Sequence, residues 1–109
     1  MTQLQTIFIE NAIKHGEAIG IGDYRTANKL HTKLGAAYQL IKQDGKWNEL
    51  IELITHPDDN VKLWAATYLL ESNTKVALRI LKELKNSTEI TGLTASTTID
   101  IWNKGLLRL

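Results

Sequence analysis

Apolar residues recur at helical spacing through nearly the whole chain, and the polar residues between them mark where each helix starts and stops. Thr2 with Gln5 forms a candidate capping box; Leu4, Phe8, Ala12 and Ile19, flanked by Ile9 and Ile13, predict a helix from about Thr2 to Ile19. Gly20 and Gly22 stop it. Asp23 then caps a second long helix to about Gln43, with Ala27, Leu30, Leu34, Ala37 and Ile41 on its inner face and Asp44-Gly45 at its end. A short helix carrying Trp47, Leu50, Ile51 and Ile54 follows. Pro57 has no amide donor and restricts His56 to extended geometry, so the chain turns there. Asp58 and Asp59 suit the positive start of the next helix, about Asp58 to Glu71, whose inner face reads Val61, Trp64, Ala65, Tyr68 and Leu69. The small pair Ala65-Ala66 admits a neighbouring helix at close range. Beyond Ser72-Asn73-Thr74, a fifth helix with Ala77, Ile80, Leu81 and Leu84 ends near Asn86.

The last segment, S-T-E-I-T-G-L-T-A-S-T-T-I-D-I-W, is rich in threonine and isoleucine, which locally favour strand. Ala95, Thr98, Ile99, Trp102 and Leu106 nevertheless share one helical face, and a lone strand would have nothing to pair with. The expectation is therefore an all-α, HEAT-like stack of about six helices in antiparallel pairs. The pairs from about Lys46 to Glu71 and Thr74 to Leu107 read as two irregular copies of one unit behind the longer first pair. A chain of 109 residues with 43% hydrophobic content supports one core, so a single domain, 1–109, is expected.

Charge and composition narrow the functional classes. Thirteen Lys+Arg against twelve Asp+Glu leave a net charge of +1 and no basic run, which disfavours nucleic-acid binding. The amino terminus has no basic residue before Lys14 and no long apolar run, so neither a signal peptide nor a membrane span is expected. Zero cysteines exclude disulfides and thiolate metal sites and suit the cytoplasm.

Chemistry-bearing residues are scattered. His15, His31 and His56 have no ligand partner three or four residues away, so no metal site is expected; His56 reads as a turn residue and the others as helix-edge positions. Gly20-Ile21-Gly22 lacks the strand and third glycine of a dinucleotide loop, and no G-x-S-x-G elbow occurs. No catalytic residue and no cofactor are expected. Trp64 and Trp102 suit core packing, whereas Tyr24 and Tyr38 are better placed for partial exposure. Asp44, Glu49, Glu52, Asp58 and Asp59 fall in one short span with only Lys46 opposing them, which makes them the candidate partner-binding residues for a basic protein surface. Helix capping and solvation compete for the same carboxylates.

Three segments, G-D-Y-R-T-A-N-K-L at Gly22 to Leu30, H-P-D-D-N-V-K-L-W-A-A at His56 to Ala66 and I-W-N-K-G-L-L at Ile101 to Leu107, resemble a family of small bacterial HEAT-like helical proteins of unassigned function. Lys62 stands where HEAT units commonly carry arginine; it keeps the charge without the bidentate geometry. Such proteins often serve as immunity partners in toxin systems, including contact-dependent growth inhibition. The resemblance implies a cytoplasmic, non-enzymatic protein, monomeric before complex formation, that binds and blocks a cognate toxin. The alternative is a HEAT-like adaptor that recognises a host protein or a peptide.

Overall fold

The computed structural model of the chain describes residues 1–87 and 89–109, with the backbone alone at Glu89. Three of the helices begin where a side chain satisfies their free amides. In α1 (Gln3–Gly20) the Thr2 hydroxyl accepts from the Gln5 amide at 3.1 Å, and the Gln5 carboxamide accepts from the Thr2 amide at 2.9 Å. Asp23 caps α2 (Tyr24–Asp44) by accepting from the Thr26 amide at 3.2 Å and its hydroxyl at 2.6 Å. Those bonds hold the Asp23 carboxyl below its usual range. Gly45, in the left-handed region at φ 63°, ends α2.

A single α turn, α3 (Trp47–Ile51), runs into a 3-10 turn (Glu52–Thr55) before Pro57. Asp58 starts α4 (Asp59–Tyr68) by accepting from the Asn60 and Val61 amides at 2.8 and 3.1 Å, as the sequence pattern predicts. His56 reinforces the turn, its Nδ1 accepting from the Asp58 amide at 3.0 Å. Two further helices, α5 (Thr74–Leu84) and α6 (Glu89–Asn103), complete an all-α stack in which no strand occurs among the described residues. Thr88, in the stretch whose composition leans towards strand, lies outside the described residues.

The helices pair as α1 with α2, the α3 segment with α4, and α5 with α6, while α4 also packs on α1 and α6. Phe8, Leu34, Tyr38, Leu50, Val61, Leu69 and Leu81 form the fully buried centre, and Ala18, Ala27 and Leu30 make a smaller cluster near the α1–α2 connection. Ala65 and Ala66 are both wholly buried, as close helix approach requires. A Cβ on Gly92 would lie 2.7 Å from the Lys85 carbonyl oxygen, so the α6 backbone runs against the end of α5 where only glycine fits.

Three local expectations are corrected. The fourth helix stops at Tyr68 rather than Glu71, because the Leu69 amide is shared between the Ala65 and Ala66 carbonyls and the chain tightens; Leu69 and Leu70 stay buried after the helix has ended. Leu106 is 63% exposed instead of lying on the α6 inner face, since α6 ends at Asn103 and Gly105, at φ 71°, redirects the chain. Tyr38 is fully buried rather than partly exposed, because rings from α3 and α4 cover it.

Candidate functional site

Beside its core-facing stripe, each of α2, α4 and α6 carries a second stripe of polar and aromatic residues. In α2 it is His31, Gly35 and Tyr38; in α4 it is Leu63, Trp64, Thr67 and Tyr68; in α6 it is Thr94 and Thr98. Spacings of three and four residues keep each set on one side of its helix. Together with the tail residues Leu107, Arg108 and Leu109 they line a cleft of about 470 Å³, within the size range of small-ligand and side-chain pockets. Trp64 also borders a second cavity of about 210 Å³, on the side of His15 and Ile19.

Rings hold the cleft together. Tyr38 stacks on Tyr68 with centroids 4.4 Å apart, and Trp64 stacks on Tyr68 at 5.9 Å. Phe8 meets Tyr68 edge-on at 6.0 Å from below. His15 of α1 and His31 of α2, sixteen positions apart in sequence, lie 5.0 and 5.2 Å from the Trp64 ring and 6.5 Å from each other. Burial first, then the neighbouring His31, pushes His15 below the ordinary histidine range. Among the described residues, no three His, Cys, Asp or Glu side chains converge as a metal site.

Polar groups in the cleft divide into committed and uncommitted. The hydroxyls of Thr67, Thr94 and Thr98 each donate to the carbonyl four residues earlier, at 2.7, 2.8 and 2.8 Å. The Trp64 indole nitrogen and the Tyr38 hydroxyl are shut away from solvent and have no hydrogen-bond partner. Unpaired buried donors of this kind are uncommon and costly. Both tyrosines keep their protons at neutral pH: burial and then Tyr38 push Tyr68 up to about 12, and burial and then Glu71 raise Tyr38.

Gly35 is informative because no packing demand accounts for it. It sits inside a 21-residue helix, where glycine costs about 1 kcal/mol relative to alanine. A Cβ there would meet only the Tyr68 hydroxyl, at an ordinary 3.9 Å. What the missing side chain supplies is open volume in the cleft.

None of Asp44, Glu49, Glu52, Asp58 and Asp59 lines this cleft. They follow the chain from the end of α2 to the start of α4, and most have local duties. Asp58 is the α4 cap; Asp59 accepts from the Ser87 hydroxyl and lies 3.8 Å from Lys62. Glu52 accepts from the Gln5 carboxamide at 2.9 Å, and that same group donates to the Glu49 carbonyl at 3.0 Å. Glu49 is half-buried, with one carboxylate oxygen enclosed and unpaired. Asp44 is exposed beside Lys46 at 3.9 Å.

The crystal structure of the protein RPA1889 from Rhodopseudomonas palustris is similar throughout, with a TM-score of 0.87 over 100% of this chain and 94% of that one, at 21% identity. At that identity the likeness establishes the fold. No family model and no curated protein matches the chain. Among the described residues, no helix is long and apolar enough to cross a membrane.

Proposed function

We propose that this chain is a non-catalytic binding protein that takes hold of a protein partner through the α2/α4/α6 face, with the cleft as its anchor point. The observation that carries this reading is the coincidence, in one cavity, of the side chains of Trp64, Tyr38 and Tyr68 with a helical glycine that only keeps space open. Aromatic side chains are the usual anchors of protein interfaces. The committed threonine hydroxyls favour recognition over catalysis, since none is paired with a base.

The most concrete form of the reading is an immunity protein that neutralises a cognate toxin by covering its active site. The support is the residue resemblance over three segments together with a six-helix stack of the HEAT-like kind. A standard-sized complex would bury about 800 Å² on each partner. In this account Asp44 and the neighbouring carboxylates Glu49, Glu52, Asp58 and Asp59 steer a basic toxin, and the cleft holds it. The proposed compartment is the cytoplasm, where such a toxin would act.

The test mixes the purified chain with the toxin encoded beside its gene and measures affinity together with residual toxin activity. Near-stoichiometric inhibition is the expected result. Tight binding to a different host protein, with no toxin bound, would move the assignment to the adaptor reading.

A further inference from the structure

On α2 the cleft takes His31, Gly35 and Tyr38, and a different side of the same helix carries Lys33, Ala36, Ala37 and Leu40. These four stand at i, i+3, i+4 and i+7, the spacing of the four-residue hole that receives one side chain from a facing helix. With Leu4, Ile7 and Asn11 of α1 they border a hollow of about 250 Å³. Its wall is apolar apart from Lys33, since the Asn11 carboxamide donates to the Ile7 carbonyl of its own helix at 2.8 Å. Leu40 is 52% exposed and Ile7 40%. The first unit of a helical stack ordinarily turns polar residues to solvent, so this apolar face calls for a cover.

We propose that the cover is a second copy of the chain, docked across a two-fold axis with α2 antiparallel to α2 and Leu40 of each copy seated in the hole of the other. Leu40 is at once part of the wall and its most exposed large apolar side chain, so the face is complementary to itself. The charges select the direction. With Leu40 of one copy between Lys33 and Leu40 of the other, its Asp44, one turn further along, arrives beside the other copy's Lys33, and the symmetry makes that contact twice. Laid parallel, the helices would set Lys33 against Lys33 and Asp44 against Asp44. Among the described residues Lys33 is in no ion pair, and Asp44 has only Lys46, at 3.9 Å and well exposed, so both are available. This contact shares no α2 residue with the cleft, and it replaces the monomer that the resemblance implies.

The test is sedimentation velocity on the full chain alone, at low salt and from about 10 μM to about 1 mM protein. A monomer–dimer equilibrium is expected within that range. Leu40→Glu, at an exposed position, should raise the dissociation constant at least about tenfold with an unchanged unfolding midpoint. Lys33→Asp and Asp44→Lys should each weaken the dimer about fivefold or more, because each sets like charges together twice. An equimolar mixture of those two variants should recover wild-type association, since both ion pairs re-form between unlike copies. The chain carrying both substitutions, with the wild-type net charge of +1, should recover it as well. A monomer at every concentration would overturn the proposal. So would a dimer indifferent to Leu40→Glu, or a mixture and a double variant no more associated than the single ones. No toxin or host protein is present, so these outcomes leave the role of the cleft to be read separately.

Discussion

Tyr38 of α2 and Tyr68 of α4 stack with ring planes 18° apart and centroids 4.4 Å apart, and this contact joins the first helix pair to the second at the wall of the cleft. Both are nearly or wholly buried, yet the Tyr38 hydroxyl has no partner. Ring and hydroxyl therefore contribute with opposite sign. Tyr38→Ala is expected to cost about 3–5 kcal/mol, as for other buried aromatic truncations. Tyr38→Phe removes only an unsatisfied group and should leave stability unchanged or raise it by about 1 kcal/mol. Urea unfolding of the two variants checks the pair. A large loss in Tyr38→Phe would mean that the hydroxyl is bonded in solution.

The α5–α6 contact gives a second expectation. Since the atom facing a Cβ at Gly92 is a backbone carbonyl, neither helix can relieve the clash by turning a side chain. Gly92→Ala is expected to destabilise by about 1–3 kcal/mol in spite of its better helix propensity. An unchanged unfolding midpoint would show that α6 is less closely seated than described.

Acid should destabilise the fold through His15. Its folded-state pKa lies below the ordinary value of about 6.5 because it is buried beside Trp64 and faces His31. The unfolded chain thus takes up that proton at higher pH than the folded chain does, and stability falls as pH drops below the ordinary value towards the folded one. Unfolding midpoints measured between about pH 7.5 and pH 5 should decline, and His15→Gln should flatten the decline. An equally steep decline in that variant would assign the effect to other groups.

Helix starts were legible because capping is local: Thr2 with Gln5, Asp23 and Asp58 each identify themselves within three residues. The α2 inner face was legible for the same reason, since Ala27, Leu30, Leu34, Ala37 and Ile41 all prove buried. The ends of α4 and α6 were not, because Leu69 and Leu70 continue the apolar pattern after the helix stops, and Leu106 extends it past Asn103. The cleft escaped the sequence reading because it depends on three helices meeting. His15 and His31 have no short-range relation, and they come together only because α1 and α2 fold back on each other beside Trp64. A signal was present in the second stripe of α2, where His31, Gly35 and Tyr38 interrupt an otherwise strong helix. The acidic span was visible as composition, but the assignment of Asp58 and Asp59 to capping and to Ser87 required the fold.

Charge reversal at the acidic span separates steering from anchoring. Asp44→Lys is the cleaner substitution, since Glu52 holds Gln5 and Glu49 is half-buried. It should slow association with a basic partner and reduce its salt dependence while leaving dissociation nearly unchanged. Stopped-flow association rates at two ionic strengths provide the comparison, and a faster dissociation alone would place Asp44 inside the contact instead of at its edge.

The cleft itself is tested most directly by Gly35→Met, with partner affinity and unfolding midpoint measured on the same preparation. Replacing a mid-helix glycine should hold or raise stability, by up to about 1 kcal/mol, because the new Cβ meets nothing closer than the Tyr68 hydroxyl at 3.9 Å. The longer side chain fills the cavity, so affinity for the partner should fall at least about tenfold. A stable Gly35→Met protein that binds its partner as tightly as the wild type would contradict the assignment of the α2/α4/α6 cleft as the recognition site.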